Sequence, residues 1–414
     1  TRGHEALGRT AFWLILVGFN VAFGPMHLTG LLGMPRRVYG YAPGLGWDAL
    51  NLVSSIGGFV LAIGFALVLL DVIVHARHGS PARRDPWRAR TLEWAMPTPP
   101  PSYNFASQPV VTAREATADA GLLAAALARG EGLLGDARHG WRETLGVRAV
   151  DGSPDQVILL PGPTRIPLWT ALAAAAFFLG LLFSRYAIAV AGLLGVVACA
   201  WRWAWESGLR ADPAPVALGD GRVALPHVAV ADSPAWWGLV FTLGANGTLY
   251  ASLVFGYAFL WVVAPHWPPA QALESHPLLA TGAALALVGG AVTAALARRA
   301  NERQAPASTA RWLGASCAAS LVATGALMAT ALAAPPPTVH AYASTVAALC
   351  SYSALQSAIG ALYAAYAWAR LRRGWVSAVR AAEPRATAAW TLYAAVTGLT
   401  TLGLVHVPAW VGWP

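Results

Sequence analysis

Residues 49–75, ALNLVSSIGGFVLAIGFALVLLDVIVH, contain a single charged side chain, that of Asp71. An α-helix rises about 1.5 Å per residue, so about 20 apolar residues cross the hydrocarbon layer of a membrane. The run is longer than this minimum and has no charge near its centre. It therefore predicts a transmembrane helix.

Eight further runs share this character, and together they determine the fold class. The 414 residues are 57% hydrophobic and 11% charged, with a mean hydropathy of +0.51, whereas soluble domains average about 45–50% apolar and about 25% charged residues. This composition excludes an ordinary soluble enzyme and a disordered protein. We expect an all-α polytopic membrane protein with nine transmembrane helices, at 11–32, 49–75, 167–183, 187–205, 235–263, 277–297, 311–333, 342–369 and 387–407.

A polar segment, 76–165, separates the first two helices from the other seven. It holds eleven arginines and the proline run around Pro99–Pro101, and we predict a short surface helix within it, near 115–140. The composition places a module boundary here. Because the sequence starts at Thr1 and no signal peptide precedes the first apolar run, we expect it to be the later part of a longer polypeptide.

The net charge of +9 comes from 28 arginines, since the chain has no lysine. A basic chain can bind nucleic acid, but cytoplasmic loops of membrane proteins are also enriched in arginine. With the N-terminus in the cytoplasm and the C-terminus outside, 25 of the 28 arginines fall on the inner side. The charge is therefore a topology signal, and we expect no nucleic-acid partner.

Arg36 and Arg37 depart from this bias, because they follow the outer end of the first helix. Adjacent guanidinium groups suit a fixed carboxylate or phosphate, which each can bind through two hydrogen bonds. A lipid headgroup or an ion pair within the loop would also explain the two charges. Charge alone favours this simpler explanation over a fixed anion.

The residues around the pair carry a resemblance to a known family. The segments 18–20 (GFN), 23–27 (FGPMH), 30–37 (GLLGMPRR) and 51–57 (NLVSSIG), followed by 92–94 (LEW) and 99–101 (PPP), resemble the C-terminal part of subunit I of haem–copper cytochrome c oxidases. The likeness covers about residues 5–110. It implies that Arg36 and Arg37 bind the propionates of the two haems.

The later helices resemble subunit III of the same oxidases. The likeness rests on 167–169 (PLW), 201–206 (WRWAWE), 237–238 (WG), 267–269 (WPP) and 344–345 (ST). Three positions depart from that family: Asn246 stands where a glutamate is usual, and Ser353 and Gln356 stand where two histidines are typical. Since Asn246 cannot titrate, we expect this half to be structural.

The resemblance implies a fused subunit I/III polypeptide of three parts. These are the end of subunit I at 1–110, a cytoplasmic linker at 111–165 and a subunit III-like seven-helix domain at 166–414. The intact enzyme would reduce O₂ to water with electrons from cytochrome c and translocate protons across a bacterial plasma membrane. Its partners would be the remainder of subunit I, a copper-bearing subunit II, cytochrome c and membrane lipid.

The metal ligands of the family are not found in this sequence. Two haems and copper need imidazole ligands, and the ten histidines include neither the H-x-H nor the H-H spacing of the family. His27 matches a family histidine, but an isolated histidine at a helix end is better explained as a polar interface residue. We therefore expect no metal ligand and no catalytic residue here, and cofactor contacts only at Arg36 and Arg37.

Two other functions are compatible with parts of the chain. A non-catalytic scaffold or assembly subunit fits the seven-helix module. A transporter fits less well, because such proteins place ionisable residues near the middle of the membrane, and the nine predicted helices have none there.

Overall fold

The computed structural model describes residues 3–81, 87, 89, 91–95, 131–134, 142–219, 221–264, 267 and 277–411. The chain separates into two compact units at about residue 130. Within the described residues there are nine α-helices, of which eight are long and apolar enough to cross a membrane. This confirms a mostly helical, polytopic membrane protein.

The first unit is built on two helices, α1 (Glu5–Leu31) and α2 (Asp48–His78). They run antiparallel, since Gly18 of α1 packs on the backbone at Leu61 and Gly57 of α2 packs on the backbone at Ala22. Glycine permits this approach because a Cβ at either position would overlap the backbone of the other helix. Few side chains of the two helices are buried in the hairpin, so large apolar faces remain exposed.

The second unit begins its helical part with a hairpin of α3 (Ile166–Leu182) and α4 (Tyr186–Ser207). Gly180 and Gly192 lie in close contact with the backbone of the opposite helix. Helix α3 has 17 residues, which gives a length of about 26 Å against the roughly 30 Å of the hydrocarbon layer. It is the one predicted transmembrane helix that is too short to count among the eight, and its crossing of the membrane stays a prediction.

The remaining five helices form the core of the second unit. They are α5 Pro234–Val263, α6 Pro277–Glu302, α7 Pro306–Ala333, α8 Ala341–Arg372 and α9 Ala382–Val411. Helices α6, α7, α8 and α9 pack side by side, and α5 packs on α8 and α9. Helix α8 contributes the largest number of buried residues among those described.

Most helices extend a few residues beyond the apolar runs that predicted them, and polar side chains cap the first turn of some of them. Helix α5 begins after Ser233, whose hydroxyl accepts a hydrogen bond from the backbone N–H of Trp236 at 3.4 Å. Helix α8 begins after His340, whose Nδ1 accepts from the N–H of Tyr342 at 2.9 Å. Such caps satisfy N–H groups that have no partner within the helix.

A small β-sheet is the feature that the sequence analysis did not predict. Its four strands are β1 Glu143–Val147, β2 Pro154–Leu159, β3 Val216–Ala217 and β4 Val223–Pro226. They pair in the order β1-β2-β4-β3, with β1–β2 and β3–β4 antiparallel and β2–β4 parallel. The core of the sheet contains Leu134, Val157 and Leu218.

The sheet is a small addition to the predicted all-α membrane fold, which the nine helices confirm for the described residues. It also shows that residues 142–159, expected to be linker, fold together with the loop that follows α4. The strands have two to six residues, too few for a clear alternation of apolar and polar side chains. Apart from 131–134, which are not helical, the surface helix predicted near 115–140 lies outside the described residues.

His227, in the loop between β4 and α5, bonds to strand β2, and we predict that this hydrogen bond depends on pH. Its Nδ1 accepts a hydrogen bond from the N–H of Leu159 at 3.2 Å, and burial lowers the pKa of the imidazole below 6.5. Protonated Nδ1 could not accept, so this stabilisation is present above about pH 6.5 and is lost as the pH falls through the lowered pKa. In a hydrogen–deuterium exchange measurement, the protection factor of the Leu159 backbone amide should therefore fall as the pH is lowered through this range.

His227→Gln provides the control for this prediction. A glutamine side chain can accept the same hydrogen bond but does not titrate, so the protection factor of Leu159 should lose its dependence on pH. An identical pH dependence in both proteins would contradict the role of His227.

Candidate functional site

Arg36 and Arg37 lie in a tight turn between α1 and α2. Helix α1 ends with two backbone hydrogen bonds, from Gly33 N–H to Gly30 and from Met34 N–H to Thr29, each 3.0 Å long. Arg37 has a φ of 64°, a left-handed conformation that costs a non-glycine residue about 1–2 kcal/mol. The surrounding structure must therefore hold this turn in place.

Side chains on both sides of the turn provide that support. The Asn51 amide Nδ2, in the first turn of α2, donates to the Tyr41 hydroxyl at 2.9 Å and contacts the Met34 sulfur at 3.7 Å. Trp47 Nε1 donates to the carbonyl of Leu32 at 3.2 Å. The rings of Tyr41 and Trp47 also meet edge to face, with centroids 5.4 Å apart. We call residues 32–47 the arginine turn.

In the sequence, Asn51 stands out only as part of a motif, and no pattern points to Tyr41 or Trp47. An amide at the start of a helix, next to two aromatic residues in a glycine-rich loop, is a weak signal. Only the folded loop shows that these three side chains meet.

The two guanidinium groups are available for a ligand. Arg36 and Arg37 are both exposed, and within the part of the chain that the structure describes neither forms an ion pair with a carboxylate. An acceptor with paired oxygens, such as a carboxylate or a phosphate, fits this arrangement. Haem propionates are acceptors of this kind, so the residues present fit the peripheral groups of a haem.

Possible metal-ligating side chains do not cluster in the part of the chain that the structure describes. His27 is exposed on α1, and among the described residues no three His, Cys, Asp or Glu side chains lie close enough to hold a metal ion. Nothing in the described region therefore identifies a haem-iron or copper ligand.

The structure brings Asn246, Ser353 and Gln356 to the region where α5, α8 and α9 meet in the second unit. The Asn246 side-chain oxygen accepts from Gln356 Nε2 at 3.2 Å, and the Asn246 backbone carbonyl accepts from the Tyr352 hydroxyl at 2.8 Å. Ser353 exchanges a hydrogen bond with Thr401 at 2.9 Å. Three residues that were singled out separately are therefore neighbours.

These side chains belong to two hydrogen-bonded groups that meet where the rings of Tyr250 and Tyr352 stack, with centroids 5.4 Å apart. We call the two groups together the polar seam. The Tyr250 hydroxyl lies 2.9 Å from Thr401 Oγ1, and the Tyr352 and Tyr393 hydroxyls lie 2.6 Å apart. Interhelical bonds of this type contribute about 0.6 kcal/mol each in a membrane. Every member of the seam is uncharged. The members are Asn246, Tyr250, Tyr352, Ser353, Gln356, Tyr393 and Thr401.

A buried ion pair connects α8 to α9. Arg370 Nε lies 2.7 Å from a Glu383 oxygen, and the Arg370 and Glu383 side chains are only 3% and 19% exposed. Arg370 Nη2 also donates to the carbonyl of Leu209, after the end of α4, at 2.9 Å. The Arg370 side chain thus connects α8 with α9 and with the loop after α4. The charge pattern of the sequence predicts an inner position for Arg370 but does not predict its pairing with Glu383.

A second arginine fastens the same loop after α4. Arg380 Nε donates to Asp212 Oδ1 at 2.7 Å, and the Ser377 hydroxyl donates to the same oxygen at 2.6 Å. The bonds from Ser377 and Arg380 lower the pKa of Asp212, which therefore stays ionised at neutral pH. The side chain of Asp212 is 52% exposed, so we assign this pair a smaller share of the stability than the Arg370–Glu383 pair.

Comparison with known proteins gives matches to one family. The family model described as cytochrome c and quinol oxidase polypeptide I matches residues 2–60. Cytochrome c oxidase subunit 1 of Alkalihalophilus pseudofirmus is 50% identical over 109 residues, which are 26% of this chain and 17% of the relative. Quinol oxidase subunit 1 of Bacillus spizizenii is 31% identical over 199 residues, 47% of this chain and 27% of the relative.

The matched share of these relatives is small, and the chain spans between 17% and 27% of their length. The eight long apolar helices and the bacterial relatives support a multi-pass bacterial membrane protein. The family model covers Arg36, Arg37 and Asn51. Residues 2–60, within the first unit, are therefore similar to subunit I of haem–copper oxidases, and the residues that shape the arginine turn lie within this match.

Proposed function

We propose that the chain is part of a terminal respiratory oxidase that reduces O₂ to water and couples this reaction to proton translocation. The observation that carries the proposal is the arginine turn, with two exposed guanidinium groups inside the region matched by the family model. In the intact enzyme, two haems and copper would supply the electron transfer and oxygen chemistry. Their ligands would come from the remainder of subunit I.

The role proposed for Arg36 and Arg37 is to bind the haem propionates. Each guanidinium group can donate two hydrogen bonds to one carboxylate, which fixes the carboxylate in orientation as well as in position. The positive charges favour the ionised carboxylates and so keep the proton affinity of the propionates low. Arg37 has a left-handed backbone conformation, and both arginine side chains are exposed at the end of the α1–α2 hairpin.

The exposed faces of α1 and α2 support a place for this hairpin within a larger bundle. Both helices carry many exposed large apolar side chains along their whole length. Burying such surface contributes about 25 cal/mol per Å². We propose that the remainder of subunit I covers part of these faces, and that a copper-bearing subunit II and membrane lipid are further partners.

The orientation proposed for the chain follows from its arginines. An N-terminus in the cytoplasm places most of them on the inner side of a bacterial plasma membrane, with the C-terminus and the arginine turn outside. This orientation puts Arg36 and Arg37 on the side to which protons would be released.

For residues 166–414 we propose a subunit III-like role as a structural module, fused to the end of subunit I. The neutral polar seam supports this role, because Asn246 and Gln356 bond to each other and neither can carry a proton at physiological pH. The same observation favours the second candidate function, a non-catalytic scaffold. Proton translocation would then depend on groups elsewhere in the complex.

Cytochrome c is the electron donor that we propose. The choice rests on the resemblance of the motifs at 18–57 and 92–101 to cytochrome c oxidases. Turnover of the purified enzyme with reduced cytochrome c and with quinol separates the two donors.

Arg37→Ala in the full-length oxidase tests the proposed function. A cation near a haem disfavours the oxidised form, which carries one more positive charge, so its removal should lower the midpoint potential. We expect a decrease of tens of millivolts, where about 59 mV is a tenfold change for one electron, measured by spectroelectrochemical titration. Proton pumping should weaken before oxygen reduction is lost.

Arg185→Ala is the matched control, since Arg185 is the other arginine predicted for the outer side and lies in the turn between α3 and α4. Its removal should leave the haem potentials unchanged. Unchanged potentials in Arg37→Ala as well would rule out the propionate contact.

A further inference from the structure

We propose that Asn51 is a positioning residue for the haem propionates, acting through the arginine turn. This inference rests on the proposed function of Arg36 and Arg37. Asn51 need not touch the haem. Its part is to fix the chain on both sides of the two arginines, so that their guanidinium groups reach the propionates in one defined geometry.

The contacts of Asn51 flank the two arginines. Its Nδ2 bears two hydrogens, of which one is directed to Met34, two residues before Arg36, and the other to Tyr41, four residues after Arg37. A single amide therefore joins the beginning and the end of the loop segment that carries the two charges. It closes this segment against the start of α2.

The anchor itself is rigid. The backbone N–H of Asn51 donates to the carbonyl of Trp47 at 2.9 Å, and its backbone carbonyl accepts from the Ser55 hydroxyl at 2.8 Å. Trp47 is 8% exposed and bonds in turn to the end of α1. The Asn51 amide therefore projects from the first turn of α2, which these hydrogen bonds connect to the end of α1.

The turn needs such an anchor because its own sequence favours other conformations. Arg37 occupies the left-handed region, and Gly33, Gly44 and Gly46 also have positive φ values. Glycines leave the loop many alternative paths when nothing restrains it. A guanidinium group displaced by about 1 Å loses much of a bidentate contact. The bonds of Asn51 therefore act on the site through geometry.

The test compares Asn51→Ala, Tyr41→Phe and the double variant in the assembled full-length oxidase. Each single variant removes the bond between Asn51 and Tyr41, and we expect each to change the haem reduction equilibrium about two- to tenfold. The shift should have the same direction as that of Arg37→Ala. Because both residues act through one bond, the double variant should shift the potential no further than Asn51→Ala alone.

A spectroscopic readout accompanies the potential. Redox difference infrared spectra report the carboxylate vibrations of the haem propionates, which depend on their hydrogen bonds. We expect these bands to move in Asn51→Ala and Tyr41→Phe. Thr10→Val is the matched control, since it removes a hydroxyl near the start of α1, far along the helix from the arginine turn, that bonds to a backbone carbonyl of its own helix, and it should change neither readout.

The outcomes separate this inference from the proposed function. If Arg37→Ala lowers the potential but Asn51→Ala and Tyr41→Phe leave the potential and the propionate bands unchanged, the role of Asn51 is overturned and the propionate contact stands. If Arg37→Ala has no effect either, the propionate contact proposed for Arg36 and Arg37 fails as well. Should Asn51→Ala not assemble, Tyr41→Phe decides, because it removes only one hydroxyl group.

Discussion

Replacement of Arg370 by methionine is expected to destabilise the second unit by about 3–5 kcal/mol, the usual cost of removing one partner of a buried ion pair. The Arg370 and Glu383 side chains are only 3% and 19% exposed. Without Arg370, the Glu383 carboxylate loses its nearest cation but stays buried. The Leu209 carbonyl also loses its donor, which loosens the loop after α4.

Thermal unfolding of the detergent-solubilised complex measures this effect. At about 2–4 °C per kcal/mol for a unit of this size, the midpoint should fall by roughly 10 °C. Arg372→Met is the matched control, because Arg372 lies two residues away on α8, is exposed, and only stacks on Trp368 with 5.5 Å between guanidinium carbon and ring centroid. A contact of this kind contributes about 0.5–1 kcal/mol at an exposed site. Arg372→Met should therefore lower the unfolding midpoint much less than Arg370→Met.

A double variant isolates the cause. Arg370→Met combined with Glu383→Leu leaves no unpaired buried charge, so it should recover much of the lost stability. If the double variant is as unstable as Arg370→Met, then the burial of Glu383 is not the reason for the loss. Equal stability of the Arg370 and Arg372 variants would contradict the whole argument.

Gly57→Leu should have the second largest effect, this time on the first unit. A Cβ at Gly57 would overlap the backbone of Val21 and Ala22 in α1, and a backbone cannot rotate out of the way as a side chain can. The two helices would have to separate, at a cost of about 1–3 kcal/mol or more. Since the arginine turn connects these helices, its geometry would change with their separation.

Gly58 offers a closely matched control. It is the next residue of α2, and a Cβ there meets nothing within 4 Å in this unit. Gly58→Leu should therefore be tolerated much better than Gly57→Leu when the purified proteins are compared by thermal stability. Equal stability of the two variants would show that the close approach of α1 and α2 does not matter.

The sequence alone determined the helices and the position of the arginine pair. In a hydrocarbon layer every backbone N–H and C=O group must find its partner within the same segment, so a long apolar run has few alternatives to a helix. Residues 49–75 are accordingly found within helix α2, Asp48–His78. The motif around Arg36 and Arg37 also indicated the subunit I region that the family model matches.

The support of the arginine turn could not be predicted in the same way. Asn51 and Tyr41 are ten residues apart, and both lie near a loop whose path is set by glycines with positive φ. A sequence pattern identifies such a loop but gives no direction to its side chains. The bond between them exists because α1 and α2 pack closely enough to fold the loop back on the start of α2.

Contacts between distant parts of the chain were decided only by the tertiary structure. Asn246 and Gln356 are 110 residues apart, and Arg370 bonds to a carbonyl 161 residues before it. Strand β2 pairs with β4 across two intervening helices. Hydrophobic periodicity specifies a helix from neighbouring residues, whereas the rotation and register of one helix against another depend on how all their surfaces pack together.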